Sequence, residues 1–138
     1  RSIRVNYLGS FHCLQAVGKA MVRARRGRIL NVTTVAVPLA LEGEAAYVAS
    51  KAAVEALTRV AAGELAPHGV LVAAVGLGPV DTRLTRGVGA ESLARLNRRI
   101  GRPAGTTVAE AVDFLLRHIE DPRLEGGSIH YLGSFDRT

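Results

Sequence analysis

The sequence is poor in cysteine, lysine and aromatic residues. One cysteine, Cys13, in 138 residues excludes an internal disulfide framework and any multi-cysteine zinc site. His12, His68, His118 and His130 lie too far apart in sequence to give metal-ligand spacing. Tryptophan is absent and aromatic residues make up 4%, so there is little on which to stack nucleic-acid bases. No run approaches the about 18 apolar residues that cross a bilayer, so no membrane partner is expected. Arg1-Ser2-Ile3-Arg4-Val5-Asn6 lacks the apolar centre of a signal peptide, and the expected setting is cytoplasmic. Position 1 is not methionine, which reads as a piece of a longer gene product.

The net charge of +6 is carried by 16 arginines and two lysines, Lys19 and Lys51. The arginines are dispersed, with one tight cluster at Arg23, Arg25, Arg26 and Arg28. That pattern fits a solvated helix end better than a nucleic-acid surface. A docking patch for an acidic carrier or a cofactor phosphate is the functional alternative. A lysine kept where arginine is the rule points to chemistry that arginine does not perform. What remains is ordinary globular composition, 48% hydrophobic and 22% charged, in a chain long enough for one domain at most.

Periodicity gives the order of elements. Tyr7, Leu8, Phe11, Leu14, Gly18, Met21 and Val22 predict an amphipathic helix from about Asn6 to Arg25, stopped by Gly27. Ile29–Val32 reads as a short apolar strand, and Thr33–Glu44 as a loop. Ala45–Leu65 is a long alanine-rich helix ended by Pro67 and Gly69, and Val70–Val75 is a second apolar strand. Gly76–Gly89 is loop, Glu91–Arg99 a short helix, and Thr107-Val108-Ala109-Glu110 a capping box opening a helix to about Glu120. Ser128–Leu132 is the last strand. Strands separated by helices imply an α/β fold with a parallel sheet covered on both faces.

The strongest local signal is Tyr47-Val48-Ala49-Ser50-Lys51. Residues i and i+4 share a helix face, so Tyr47 and Lys51 stand together near the helix entrance. A phenol with its ordinary pKa of about 10 is a poor acid–base group at neutral pH, and a neighbouring cation favours the phenolate. Taken alone, the pattern also fits a buried tyrosine beside a snorkelling lysine. Thirteen residues earlier, Thr34 ends a predicted strand, and ligands in parallel α/β folds bind beyond the carboxyl ends of strands. A hydroxyl there is placed to donate to a substrate oxygen. The next strand runs into Gly76-Leu77-Gly78-Pro79-Val80-Asp81-Thr82, where glycine lets backbone approach a flat ligand. Asp81 reads as a loop cap and Cys13 as a small apolar helix residue.

Together these segments resemble the short-chain dehydrogenase/reductase family. The resemblance rests on Asn6-Tyr7-Leu8-Gly9, Gly27 to Thr34, Tyr47 to Val54 and Gly78 to Thr82. Gly101-Arg102-Pro103, Val108 to Val112 and Gly126 to His130 continue it in order, across essentially the whole chain. It implies a partial Rossmann-like, doubly wound parallel sheet: the three carboxyl-terminal strands with their covering helices. By that resemblance residues 1–138 form the carboxyl-terminal half of one NAD(P)-binding domain, with the amino-terminal glycine-rich half absent. The cofactor is NAD or NADP, and the substrate is a small carbonyl or alcohol.

The resemblance also assigns roles. Tyr47 is the general acid/base, and Lys51 holds the nicotinamide ribose and lowers the tyrosine pKa. Thr34 orients the substrate oxygen, and Asn6 holds a water behind the lysine. Gly78, Val80 and Thr82 line the nicotinamide. Thr34 replaces the family's usual serine, and Ala73 and Leu77 stand where asparagine and proline are common. Arg83, Arg86, Arg95, Arg98, Arg99 and Arg102 flank the segment that covers substrate in the family. A homodimer or homotetramer through helices 6–25 and 45–65 is expected, with close approach at alanines 45, 46, 49, 52, 53 and 56. Without a partner half, Val17, Met21 and Val22 are expected to be exposed. The competing reading is a truncated, non-catalytic remnant that serves as a helix-mediated dimerisation or interaction module.

Overall fold

A computed structural model describes residues 1–83, 85 and 87–134; Arg86 of the arginine set lies outside them. Three strands, β1 (Gly27–Thr34), β2 (Val70–Leu77) and β3 (Ile129–Tyr131), form a parallel sheet in the order β1-β2-β3. The helices are α1 (Gly9–Ala24), α2 (Ala45–Leu65), α3 (Ala90–Arg99) and α4 (Val108–Glu120). A π-helical turn, Ile3–Leu8, leads into α1, so Asn6 sits in a wider turn than the α-helix expected there.

β2 is the central strand, and Val70, Val72, Ala73, Ala74 and Val75 are all buried. Side chains alternate along a strand, so β1 and β2 each present two faces. Ile29, Val70 and Val72 pack against Ala61 and Ala62 of α2 and against Leu14, Met21 and Val22 of α1. On the opposite face Arg28 reaches α4, where its Nη1 donates to the carbonyls of Ile119 and Asp121 at 2.7 Å each. Helices therefore cover both faces of the sheet.

The structure corrects several sequence expectations. Met21 and Val22 turn inward onto this core, leaving Val17 exposed at 44%. The α1 helix is stopped at Arg25, which takes the left-handed conformation (φ 55°), and not by Gly27. Gly27 instead begins β1, where a Cβ would collide with the Met21 side chain. Strand β1 is longer than expected and is not apolar throughout. Asn31 and Thr33 point toward α2, where Asn31 Nδ2 donates to Thr58 Oγ1 at 2.9 Å. Cys13 sits on α1, as expected, with its side chain exposed.

Local chemistry at α4 agrees with the sequence. Thr107 Oγ1 accepts from the Glu110 amide at 3.2 Å, and Glu110 Oε2 accepts from the Thr107 amide at 2.8 Å. This reciprocal pair is the capping box.

Candidate active site

β1 and β2 both deliver their carboxyl ends to one side of the sheet, and α2 begins at the same side. A cleft of about 450 Å³ opens there, and Thr34, Tyr47, Lys51, Gly78, Val80 and Thr82 all line it. Six positions spread over 49 residues of chain thus meet around one cavity. Asn6 lies behind them, in a groove on the outer side of β1 that Lys51 also lines.

Each part of this arrangement has a local cause. The entrance of α2 places Tyr47 and, one turn later, Lys51 on the face that borders the cleft. Lys51 Nζ donates to the Val32 carbonyl at 2.9 Å, which ties the ammonium to the end of β1. Burial pushes the Lys51 pKa below the ordinary lysine value, because desolvation disfavours the charged form. Thr34 is buried, and its hydroxyl oxygen accepts from the Ala36 amide at 3.2 Å, fixing the turn that follows β1.

The loop after β2 is held in place by pairing. Val80 bridges Thr106 in parallel, and the Asp81 amide donates to the Thr106 carbonyl at 3.2 Å. Thr85 Oγ1 donates to the Val80 carbonyl at 2.9 Å, and Thr106 is in turn held by Arg102 Nε at 2.9 Å. These bonds fix the loop although Leu77 stands where the family often has proline. A Cβ on Gly78 would come 2.5 Å from Ile100 Cδ1, so glycine there admits α3's end beneath the cleft. Asp81 thus serves through its backbone, as one strut of this pairing.

Two residues without an assigned role complete the site. Ser50 is fully buried; it accepts from Asn6 Nδ2 at 2.9 Å and donates to the Tyr47 carbonyl at 2.7 Å. It therefore locks the π-helical turn carrying Asn6 onto the first turn of α2. Glu55 is buried on α2 one turn beyond Lys51, and its Oε1 accepts from Thr33 Oγ1 and from the Tyr131 hydroxyl, both at 2.8 Å. That carboxylate joins α2 to β1 and β3 next to Thr34. The signal for Ser50 was its place between Tyr47 and Lys51. Glu55 gave none, since its partners are 22 and 76 residues away.

The remaining candidates are not brought to the cleft. His118 and His130 meet, with ring centroids 4.8 Å apart, beside α4. No group of three or more metal-ligating side chains occurs among the described residues. No helix among them is long and apolar enough to cross a membrane.

A sequence model of the short chain dehydrogenase family matches residues 1–92. This chain belongs to the short-chain dehydrogenase family. It is 36% identical over 136 residues to a 3-oxoacyl-acyl-carrier-protein reductase of Synechocystis, covering 94% of this chain and 55% of that protein. The corresponding reductase of Staphylococcus epidermidis is 34% identical over 134 residues, with 95% and 54% covered. A short-chain type dehydrogenase/reductase from Mycobacterium ulcerans superposes with a TM-score of 0.85 at 22% identity, over 94% of this chain and 48% of that one, which shows the shared fold. A gluconate 5-dehydrogenase from Burkholderia cenocepacia, solved with NADP and tartrate, gives 0.83 at 27% identity over 95% and 52%. The chain spans about half the length of the relatives it matches.

Proposed function

We propose that this chain supplies the carboxyl-terminal, proton-transferring half of an NAD(P)-dependent oxidoreductase that interconverts a carbonyl and an alcohol. The observation that carries the reading is the convergence of Tyr47, Lys51 and Thr34 with the Gly78–Thr82 loop on one cleft at the strands' carboxyl ends. The residues present fit the nicotinamide end of such a cofactor. An ammonium and a phenol border a fixed loop of small residues, Gly78 and Pro79, with the hydroxyl-bearing Thr34 and Thr82 on the same lining. They do not supply a glycine-rich turn for a pyrophosphate, for the segment from β1 to α2 holds one glycine, Gly43. NAD and NADP fit this end equally.

When bound, the cofactor supplies the hydride and leaves oxidised. The chain's own residues manage the rest. Thr34 and Tyr47 donate to the substrate oxygen and hold the carbonyl carbon toward the loop. As the C=O π bond breaks and the new C–H bond forms, the Tyr47 proton passes to the oxygen, giving the alcohol. The Lys51 ammonium stabilises the phenolate left behind, and a proton from solvent restores the phenol. Asn6 and Ser50 position the Tyr47 turn and a water on Lys51's outer side. In alcohol oxidation each step reverses.

The same reading carries self-association through α1 and α2. Ala45, Ala46, Ala49 and Ala56 of α2 are exposed, while Ala52 and Ala53 are half-buried, so the small-residue face is available to a second copy. It also carries a cytoplasmic setting, in keeping with a single free thiol.

The test is Tyr47→Phe in the parent enzyme, followed by NAD(P)H oxidation with carbonyl substrates and by far-UV circular dichroism. The expected result is an unchanged fold and a loss of at least about 100-fold in kcat. Turnover near the parent rate would remove Tyr47 from the mechanism. Absence of any turnover by the parent protein would favour the non-catalytic interaction module.

A further inference from the structure

The cleft is chemically divided. Thr33, Thr34, Glu44, Tyr47 and Lys51 are the polar groups at one end, and Thr82 and Thr85 those of the segment after β2. The opposite wall, built by α3, the first turns of α4 and the segment before α3, presents Val88, Leu93, Leu96, Val108 and Val112. Thr85, in the segment before α3, also lines the cleft, with its hydroxyl turned to the Val80 and Thr82 carbonyls. Val108 and Val112 are one helical turn apart, on the same face of α4, and are 52% and 46% exposed; Val88 is 46% exposed. Three half-exposed valines lining one cleft call for an apolar cover.

Some of the cleft's polar groups are already committed to the fold. The Thr33 hydroxyl donates to Glu55 and the Thr85 hydroxyl to the Val80 and Thr82 carbonyls. A polyhydroxylated substrate reaching across the cleft from Tyr47 would bury hydroxyls against valine and leucine with no partner, which is strongly disfavoured. A methylene chain would instead gain by leaving water.

Resting on the oxidoreductase reading, we infer that the substrate is a carbonyl compound with an aliphatic chain, whose oxygen meets Tyr47 and Thr34 and whose chain lies on the Val88–Leu93–Leu96–Val108–Val112 wall. The wall is continuous with the reacting end, so one linear molecule covers both. The site is built against sugar acids and other polyols, in contrast to the gluconate 5-dehydrogenase that shares the fold.

The experiment uses the parent enzyme and straight-chain 2-ketones from butan-2-one to decan-2-one, with a 5-oxo sugar acid as the polar competitor. kcat/KM is expected to rise with chain length, by up to about fourfold for each methylene that becomes fully buried. Val112→Thr and Leu93→Asn are expected to shrink the decan-2-one to butan-2-one ratio. Calorimetric binding of the same ketones to the Tyr47→Phe variant with cofactor reads the wall without turnover, and decan-2-one is expected to bind more tightly than butan-2-one. A flat or falling chain-length series in both measurements, or preference for the sugar acid, overturns the assignment. Chain-length preference in binding, with turnover unaffected by Tyr47→Phe, would keep the wall and overturn the proton-transfer reading.

Discussion

Lys51 is asked to be a cation in a place where burial works against it. Its pKa is lowered by desolvation, so the unfolded chain still holds a proton at pH values where the folded site has lost it. Stability therefore rises with pH across the interval between the folded value and the model-peptide value of about 10.4. Carbon-13 NMR of the lysine Cε resonances is expected to show Lys51 titrating below that reference; a midpoint at or above it would contradict the burial argument. Glu55 makes a second prediction at this scale. Glu55→Ala would leave the Thr33 and Tyr131 hydroxyls without their buried acceptor and cost about 2–4 kcal/mol in urea unfolding. A loss under about 1 kcal/mol would mean that both hydroxyls find other partners. Tyr47 and Lys51 were legible in the sequence because helical spacing alone puts them on one face. Glu55 was not, because a buried carboxylate is defined by donors that only the tertiary fold brings to it.

Elements were legible in kind and less so at their ends. The capping box at α4 could be read because its bonds span three residues and involve no other element. It also makes a clean prediction: Thr107→Ala removes the acceptor for the Glu110 amide and should cost about 1 kcal/mol. The Glu110 carboxyl is held below its ordinary pKa, first by the Thr107 amide and then by Arg102 and the Thr107 hydroxyl. Its contribution is complete above the unfolded value of about 4.3 and is lost as pH falls through the lowered folded value. Thermal unfolding of Glu110→Gln and the parent should thus differ at pH 7 and converge toward pH 2, while the Thr107→Ala difference, which comes from a neutral cap, persists; an undiminished Glu110→Gln difference at pH 2 would contradict this. Strand ends were harder. β1 extends to Thr34 and β2 to Leu77 because they pair with each other, and pairing is a property of two segments. The stop at Arg25 was missed for a similar reason: the Arg25 amide closes on Met21 and Val22 carbonyls, leaving Gly27 for close approach to Met21.

At the scale of the molecule, one edge decides what these 138 residues do alone. The outer side of β1 is open among the described residues, and Ile3, Val5, Val17 and Val32 are exposed at 41–64% around it. A groove of about 480 Å³ runs along that side, lined by Val5, Leu14, Val17, Ile29 and Val32. The sequence made this visible through what it lacks, a glycine-rich turn between a strand and a helix. Which apolar residues stay outside was set by how α1 rolls onto α2. NAD(P)H fluorescence titration of the 138 residues by themselves is expected to show no tight binding; saturable micromolar binding would contradict the proposal that these residues fit only the nicotinamide end of the cofactor.

The most direct test of the account is isotope transfer in the parent enzyme. NAD(P)H deuterated at either face of nicotinamide carbon 4 is supplied with a straight-chain ketone, and the alcohol is analysed by mass spectrometry. One of the two labelled faces should deliver a single deuterium to the carbinol carbon, with the proton on oxygen coming from solvent through Tyr47. Product carrying no deuterium from either face, or no product at all, would contradict it.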